Sequence, residues 1–186
     1  MDCNCTWPGN DLLMQVYHNT EWGKPEHDDS KLFELLLLEG FQAGLSWKIV
    51  LYKRENFCRA FDNFDANKIV LYQEEKIQEL MQDASIVRNQ AKIRATVGNA
   101  KAFLSIQAEF GTFDAYIWKF TKGKTIENIV HSMSDLPSKT EISDEMSKDL
   151  LSRGFKFVGS TICYAFMQAS GMVNDHFEKC KYRYSY

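Results

Sequence analysis

The sequence predicts an all-α fold, and three observations lead to that prediction. Apolar residues recur at spacings of three and four residues over long stretches, as they do on one face of a helix. Residues that cap helices stand just before those stretches. Alternation of apolar and polar residues, which would indicate strands, is almost absent. With 186 residues and 45% hydrophobic content, the chain can bury a substantial core, so we expect residues 1–186 to form a single compact unit.

The predicted helices can be justified in order. Residues 28–30 offer caps for the first, which runs from Asp28 to Glu39 and is hydrophobic nearly all round, as a central helix is. Gly40 and Gly44 are expected to end it. The stretch from Lys122 to Thr140 is polar and is expected to be a loop. The remaining helices are predicted at Trp47–Phe61 after a Ser46 cap, Glu74–Gln82, Arg88–Phe110, Asp144–Arg153 and Ser160–Ala169.

The composition excludes several classes of protein. Acidic residues outnumber basic ones, 25 to 22, so the net charge of −3 predicts no general affinity for nucleic acid, and any DNA contact must come from local patches. The longest apolar run, Leu35–Leu38, is far too short to span a bilayer, and we expect no membrane contact. Five cysteines without a secretory signal favour a reducing cytoplasm, where thiols stay free or hold a metal.

The two ends of the chain each carry one cysteine and one histidine that could bind a metal. These are Cys5 and His18 at the start, and His176 and Cys180 at the end. Four such ligands suit tetrahedral zinc, and a helix would put His176 and Cys180 on one face because they are four residues apart. The alternative is that they are ordinary buried thiols and imidazoles.

A second candidate site lies at residues 154–159, between the last two predicted helices. A helix that ends at Gly154, a short apolar hairpin, and Gly159 opening a new helix would leave N–H groups free to bind a DNA phosphate. Lys156 and Arg153 would add positive charge beside it. A second basic surface is expected at Arg88, Lys92, Arg94 and Lys101. The alternative is a helical hairpin with glycine caps and a solvated basic face.

A third candidate site is built around Glu39. This carboxylate closes a run of leucines, where burial of a charge is costly unless a ligand compensates it. Trp47 follows nearby, while Trp7, Tyr17 and Trp22 cluster near the first pair of candidate metal ligands. A negative group flanked by aromatic rings is what a flat cationic ligand needs. The alternative is a solvent-exposed glutamate beside core tryptophans.

Taken together, these sequence blocks resemble the DNA-3-methyladenine glycosylase I family along essentially the whole chain. The matching blocks are YHNTEWG at 17–23, EGFQAGLSW at 39–47, RGFKFVGSTICYAFMQASGMVNDH at 153–176, and the terminal cysteine. The resemblance implies an all-helical protein of the helix-hairpin-helix glycosylase superfamily. It also implies a zinc-binding lobe made of about 1–27 and 172–186, around a glycosylase core of about 28–171.

The resemblance also assigns roles to individual residues. The family's ligands for one structural zinc ion fall on Cys5, His18, His176 and Cys180. Glu39 and Tyr17 are expected to be the catalytic residues that contact the base, and the substrate pocket comprises Glu39, Tyr17, Trp22 and Trp47. DNA-backbone contacts are expected from Arg153, Lys156 and Gly159. Because four protein ligands leave no position for water, a zinc hydrolase is disfavoured.

The chain departs from the family pattern at three places. Residues 11–14 lack an aromatic that family members commonly have, and Met14 would substitute as a polarizable contact. Ser85 stands where members commonly have glycine, so a turn with positive φ there would be strained. Cys3 is an extra thiol, but we choose Cys5 as the ligand because Cys5-Thr6-Trp7 matches the family. Asp175, the nearest candidate for an activating carboxylate, is expected to support His176 instead.

The function that the resemblance implies is base-excision repair. The protein would flip a damaged base out of double-stranded DNA and hydrolytically release 3-methyladenine, with no lyase step. We expect a monomer in a bacterial-type cytosol with the chromosome. Two rival classes remain open: a non-catalytic DNA-binding or alkyl-base-sensing module, and a metal or redox sensor.

Overall fold

A computed structural model describes residues 5–184, which are mostly helical. The helices and strands of this part of the chain are Leu12–Thr20 (α1), Asp29–Gln42 (α2), Trp47–Tyr52 (α3), Arg54–Ala60 (α4), Ala66–Ile69 (α5), Glu74–Gln82 (α6), Gln90–Phe110 (α7), Phe113–Ile117 (α8), Ile126–Glu127 (β1), Glu141–Ser152 (α9), Ser160–Ala169 (α10) and Val173–Asn174 (β2), with 3-10 turns at Asp62–Phe64, Trp118–Thr121 and Met133–Asp135. The predicted all-α class is confirmed, and β1 and β2 form only a two-residue parallel pair.

Local signals placed most of the helix boundaries. Helices α6 and α10 have the predicted bounds. The side chain of Asp28 accepts a hydrogen bond from the backbone N–H of Lys31 and caps α2, and Asn89 caps α7 in the same way. The single helix predicted from Trp47 to Phe61 is wrong, because the backbone leaves helical geometry at Lys53 and divides it into α3 and α4.

Helix α2 does not end at Gly40, as the sequence predicted, but continues to Gln42. A Cβ at Gly40 would lie 3.4 Å from the backbone oxygen of Phe157, so glycine here allows the hairpin to pack closely on the helix. Lys92 then caps the end of α2, since its ammonium donates to the carbonyls of Phe41 and Ala43. Gly40 therefore serves packing, and the end of the helix is set by another part of the chain.

The hydrophobic core surrounds α2. Its members Leu32, Phe33 and Leu38 are fully buried, and they belong to one continuous cluster with side chains of α4, α7, α8 and α10. Helix α2 is apolar nearly all round because it contacts other helices on most sides. No helix among residues 5–184 is long and apolar enough to cross a membrane.

The two ends of the described chain meet on one side of this core. Cys5, Phe177 and Cys180 form a small apolar cluster with Val130, and the backbone N–H of Phe177 donates to the sulfur of Cys5 at 3.2 Å. His176 and Cys180 do not share the face of a helix, because the segment that carries them consists of turns and bends. The loop predicted from Lys122 to Thr140 also contains strand β1 and a 3-10 turn.

Candidate functional site

A cavity of about 170 Å³ lies where α1, α2, α3 and α10 meet. It combines aromatic side chains with one carboxylate and two amides. The lining residues are Trp7, Tyr17, Trp22, Glu39, Gln42, Trp47, Met133, Leu136, Ala165 and Gln168. The structure thus brings all four residues of the predicted substrate pocket into one cavity.

Glu39 is the only charged side chain among those lining residues. It is 3% exposed, and its Oε2 has no hydrogen-bond partner within the described chain. Because burial disfavours the charged form, the pKa of Glu39 is raised to about 8. An uncompensated buried carboxyl destabilises a fold, so its presence indicates a ligand that supplies the missing hydrogen bonds or charge.

Aromatic rings enclose the carboxyl. The ring centroids of Tyr17 and Trp47 are 5.1 Å apart, and those of Trp7 and Trp22 are 5.0 Å apart. The indole N–H groups of Trp7 and Trp47 are buried, and neither has a hydrogen-bond partner among residues 5–184. With Glu39, these are three unsatisfied polar atoms at one cavity. The arrangement suits a flat ligand that carries both donors and acceptors.

Tyr17 is a buried hydroxyl in the same wall. Burial and the nearby Glu39 raise the pKa of Tyr17 well above its usual value, so it keeps its proton at neutral pH and can donate a hydrogen bond. Several lining residues were not among the four predicted for the substrate pocket. Trp7 was expected only near the first pair of metal ligands, and Gln42, Ala165 and Gln168 were not predicted. Met133 and Leu136 come from the segment predicted as a plain loop. No local pattern marks these residues.

Three of the predicted metal ligands cluster in the lobe where the ends meet. The ligand atoms of Cys5, His18 and Cys180 all lie within 4.8 Å of one another, and all three residues are buried. The Cys180 sulfur lies 3.9 Å from Nε2 of His18. Tetrahedral zinc holds sulfur and nitrogen ligands roughly 3.5–3.8 Å apart, so the donor types and spacing fit that ion.

His176 lies beside this cluster. Its ring centroid is 4.6 Å from that of His18, and its Nδ1 is 3.1 Å from the side-chain oxygen of Asn174. Burial, followed by the neighbouring His18, lowers the pKa of His176 to about 4, so the imidazole is neutral. Its Nε2 faces the backbone oxygen of His18 at 3.3 Å rather than the two sulfurs. The residue is close to the cluster and chemically suited to join it.

The hairpin between α9 and α10 has the predicted shape. Phe155 and Val158 are buried in the core, whereas Lys156 and Gly159 are exposed. The side chain of Asn99 clamps the hairpin, since it accepts from the N–H of Lys156 at 2.8 Å and donates to its carbonyl at 3.1 Å. Gly159 is the N-cap of α10, and as a glycine it has no side chain with which to cap this end of the helix. Its first N–H groups are thus available to an anion.

The predicted basic residues are less available than their sequence positions indicated. Arg153 pairs with Glu109 at 2.8 Å and with Asp149 at 3.3 Å. The basic face expected along α7 is only partly available: Lys92 is buried under the end of α2 and Arg94 pairs with Glu74, whereas Arg88 and Lys101 are exposed. Lys156 stays exposed at the tip of the hairpin. Exposed positive charge is therefore present both at the hairpin and along α7.

Comparison with known proteins identifies the family of this chain. The sequence matches the methyladenine glycosylase family over residues 7–184. The chain belongs to the methyladenine glycosylase family. It is therefore a glycosylase, an enzyme that hydrolyses N-glycosidic bonds, which confirms the family and the enzyme class predicted from the sequence.

Individual members of the methyladenine glycosylase family are similar over almost their full length. DNA-3-methyladenine glycosylase 1 of Escherichia coli is 48% identical over 176 residues, covering 95% of this chain and 94% of that protein. The corresponding enzyme of Haemophilus influenzae is 46% identical, covering 97% of each. The structure of the Staphylococcus aureus enzyme, solved to explain its recognition of 3-methyladenine, matches with a TM-score of 0.94 at 32% identity, covering 96% of this chain and 95% of that one.

The departures from the glycosylase family pattern can now be placed. Met14 packs against Tyr17 and Trp22 in a small cluster but does not line the cavity. Ser85 does not adopt positive φ, so the expected strain is absent, and its N–H donates to Asp83 at 2.8 Å. Cys3 lies outside the described residues. Asp175 bonds Asn128, Tyr164 and Gln168 at 2.7 Å each, and no hydrogen bond joins it to His176 within the described chain.

Proposed function

We infer that this glycosylase releases 3-methyladenine from alkylated DNA. The observation that carries the inference is the buried Glu39 carboxyl, which has no hydrogen-bond partner at Oε2 among the described residues and stands among aromatic rings in a cavity that we interpret as the base pocket. An adenine methylated at N3 is a flat cation with an exocyclic amine. It supplies the hydrogen-bond donors and the positive charge that this carboxyl lacks.

The damaged base must leave the base stack of the DNA before the protein can recognise it. A base inside a duplex cannot reach a buried carboxyl, so the lesion must be flipped out, and a damaged base costs less to extrude. In the cavity, Trp22 and Trp47 offer faces for stacking, and Glu39 accepts from the amine edge. Tyr17, which keeps its proton, donates to a ring nitrogen. Glu39 and Tyr17 are thereby the catalytic residues, because they contact the reacting base.

Hydrolysis of the bond to a cationic base requires few further protein groups. The bond between the base and C1′ of the sugar breaks, its electron pair leaves with the base, and water adds to C1′ with loss of a proton. The cationic base departs neutral, so it is already a good leaving group. No lysine is among the residues that line the cavity in the described chain, which supports hydrolysis without a lyase step. Close complementarity to the flipped base provides the stabilisation.

We propose a structural zinc site in the terminal lobe. Cys5, His18 and Cys180 would hold the ion, with His176 as the fourth ligand after a small movement of its ring. Asn19 faces Nδ1 of His18 at 2.7 Å, so Nε2, which lies 3.9 Å from the sulfur of Cys180, would be the nitrogen that binds the metal. Zinc in this place would tie the ends of the chain together and supply no catalytic water. Residues of about 1–27 and 172–186 would form this lobe, and about 28–171 the glycosylase core.

The proposed partner is double-stranded DNA containing alkylated adenine. The α10 N-terminus at Gly159 and the exposed Lys156 would hold one phosphate near the cavity. Arg153 is already paired with two carboxylates, so its proposed contribution is to hold the hairpin rather than to bind phosphate. We propose a monomer in the bacterial cytosol, where the substrate is the chromosome and free thiols are stable.

Base release tests this function directly. The protein is incubated with duplex DNA carrying methylated adenine, and the free bases are separated by chromatography. We expect 3-methyladenine to appear with time, leaving abasic sites and no strand cleavage. Saturable binding of 3-methyladenine without release would identify a sensor module instead. Neither binding nor release would refute the assignment of the pocket.

A further inference from the structure

Gln168 of α10 contributes an amide to the wall of the base cavity. Its Nε2 donates a hydrogen bond to Oδ2 of Asp175 at 2.7 Å. A carboxylate can only accept, so the amide must present nitrogen to Asp175, and its oxygen occupies the other position. The orientation of this amide is therefore determined by its neighbour.

Asp175 is itself held firmly. It is 1% exposed, and it also accepts from the hydroxyl of Tyr164 and from the side-chain nitrogen of Asn128, each at 2.7 Å. Three donors, two from α10 and one from the loop that follows β1, fix the carboxylate in one position. Such a satisfied buried network specifies a single arrangement of its members. The network accounts for Asp175 without any role in chemistry.

The amide oxygen of Gln168 remains available. No described donor contacts it, and Gln168 is only partly buried whereas its partner Asp175 is fully buried. Among the acceptors in the cavity wall, the carboxyl of Glu39 and the amide oxygen of Gln168 differ in character. Glu39 can change its role, because its pKa of about 8 leaves the carboxyl protonated at neutral pH in the empty pocket, and a protonated carboxyl can donate to a carbonyl. The oxygen of Gln168 cannot.

We propose that Gln168 is a further residue that contacts the base and that Asp175 is its positioning residue. The oxygen of Gln168 accepts a hydrogen bond from the bound purine and disfavours one that presents a carbonyl in place of the amine. Two acceptors would then face each other in a buried site, which is costly. The proposal rests on the base-binding function inferred above, and it assigns the selectivity for an amine to a group that does not titrate.

The test compares two free bases, 3-methyladenine and 3-methylhypoxanthine, which has a carbonyl in place of the amine. Affinities are measured by calorimetry or NMR titration for the parent and for Gln168→Met, which keeps the length of the side chain but removes the acceptor. We expect affinity for 3-methyladenine to fall roughly fivefold to tenfold, the effect of one neutral hydrogen bond. Affinity for 3-methylhypoxanthine should fall less, so the ratio of the affinity for 3-methyladenine to the affinity for 3-methylhypoxanthine should decrease.

Asp175→Asn tests the positioning role. Because asparagine can donate or accept, the amide of Gln168 could turn either way. The ratio of the two base affinities should therefore decrease even though Gln168 is present. Gln78→Met, an exposed change on α6, is the matched control and should leave both affinities unchanged. An unchanged ratio in Gln168→Met would overturn the proposal. An unchanged ratio of the two base affinities in folded Asp175→Asn would refute the positioning role of Asp175. If the parent binds neither base, the proposed function of the pocket is refuted instead.

Discussion

At the scale of single residues, Glu39 carries most of the functional information in the chain. It lies in a leucine-rich stretch of α2, where burial disfavours the charged form of the carboxyl and raises its pKa to about 8. A neutral carboxyl is tolerable in an empty pocket. When a cationic base arrives, it can displace the proton and pair with the carboxylate, so the interaction strengthens where the substrate differs from ordinary adenine.

Replacing Glu39 with glutamine should weaken recognition of the lesion. The change preserves size but removes the charge and turns one acceptor into a donor, so the loss should be roughly 1.5–3 kcal/mol, the scale of a hydrogen bond to a charged group. Titration of 3-methyladenine and base release from methylated DNA measure it. If Glu39→Gln matches the parent in both measurements, the role given to Glu39 is wrong.

Base binding should also depend on pH through the same group. Because the ionised carboxyl accepts better, and the pKa of Glu39 is about 8 in the free protein, affinity for 3-methyladenine should fall roughly tenfold from pH 9 to pH 7. Calorimetry across this range measures the change, and Glu39→Gln should remove it. A flat profile in the parent would contradict ionisation of Glu39 on binding.

The raised pKa of Glu39 has a consequence for stability. Its pKa is higher in the folded protein than in the unfolded chain, so the folded state holds the proton more tightly, and that contribution to stability is lost as pH rises from the ordinary carboxyl range through about 8. Glu39→Gln should therefore unfold at a higher temperature than the parent at pH 8 to 9. Thermal unfolding at several pH values tests this, and a variant less stable than the parent at alkaline pH would count against burial of the charge.

At the scale of elements, the hairpin before α10 and the helix that carries Glu39 are packed together. Gly40 lets Phe157 approach α2 closely, and Lys92 lies between the end of α2 and the ring of Phe157, with its Nζ 5.9 Å from the ring centroid. The element proposed to hold the DNA backbone is thus in contact with the element that holds the base-recognising residue. This contact sets the distance between a bound phosphate and the pocket.

Gly159→Asp should separate DNA binding from folding. The φ of Gly159 is −63°, and nothing lies within 4 Å of a Cβ built there, so aspartate fits and would even cap α10. Its carboxylate would occupy the phosphate position and repel the backbone, lowering affinity for lesion-free duplex about tenfold. Fluorescence anisotropy at several salt concentrations measures this, with Gly159→Asn as the uncharged control. DNA binding at the parental level by Gly159→Asp would refute the hairpin assignment.

At the scale of the whole molecule, the ends of the chain close the fold and also help to shape the pocket. Val130 packs with Cys5 and Cys180, and the backbone N–H of Glu178 donates to its carbonyl at 2.9 Å. The same loop continues to Met133 and Leu136, which line the base cavity. A metal that orders the terminal lobe would therefore also hold one wall of the pocket in place.

Metal content and stability should change together. We expect one zinc per chain in protein purified without chelator, and His176→Ala should lower both the metal content and the unfolding temperature, because metal-binding energy is partly folding energy. The exposed His131→Ala is the control and should alter neither. Well under one equivalent of zinc in the parent would refute the metal site.

The sequence by itself determined the features that depend on neighbouring residues. The cap at Asp28 satisfies an N–H group within one turn, so it can be predicted locally, and the bounds of α10 followed from Gly159 and the apolar spacing after it. The leucine run predicted a central helix, and Glu39 within it marked the pocket. These signals operate over a few residues, where covalent connection already fixes the geometry.

Only the tertiary structure decided which distant residues share a surface. Trp7, Met133 and Gln168 line one cavity although they are far apart in the chain, and Lys92 is buried because the end of α2 offers carbonyls to it. Likewise, the turns at residues 176–180 follow from packing against the other end of the chain, which overrides helical spacing. Whether a residue is buried or paired depends on the residues that pack against it from across the core, and the periodicity of one segment does not reveal them.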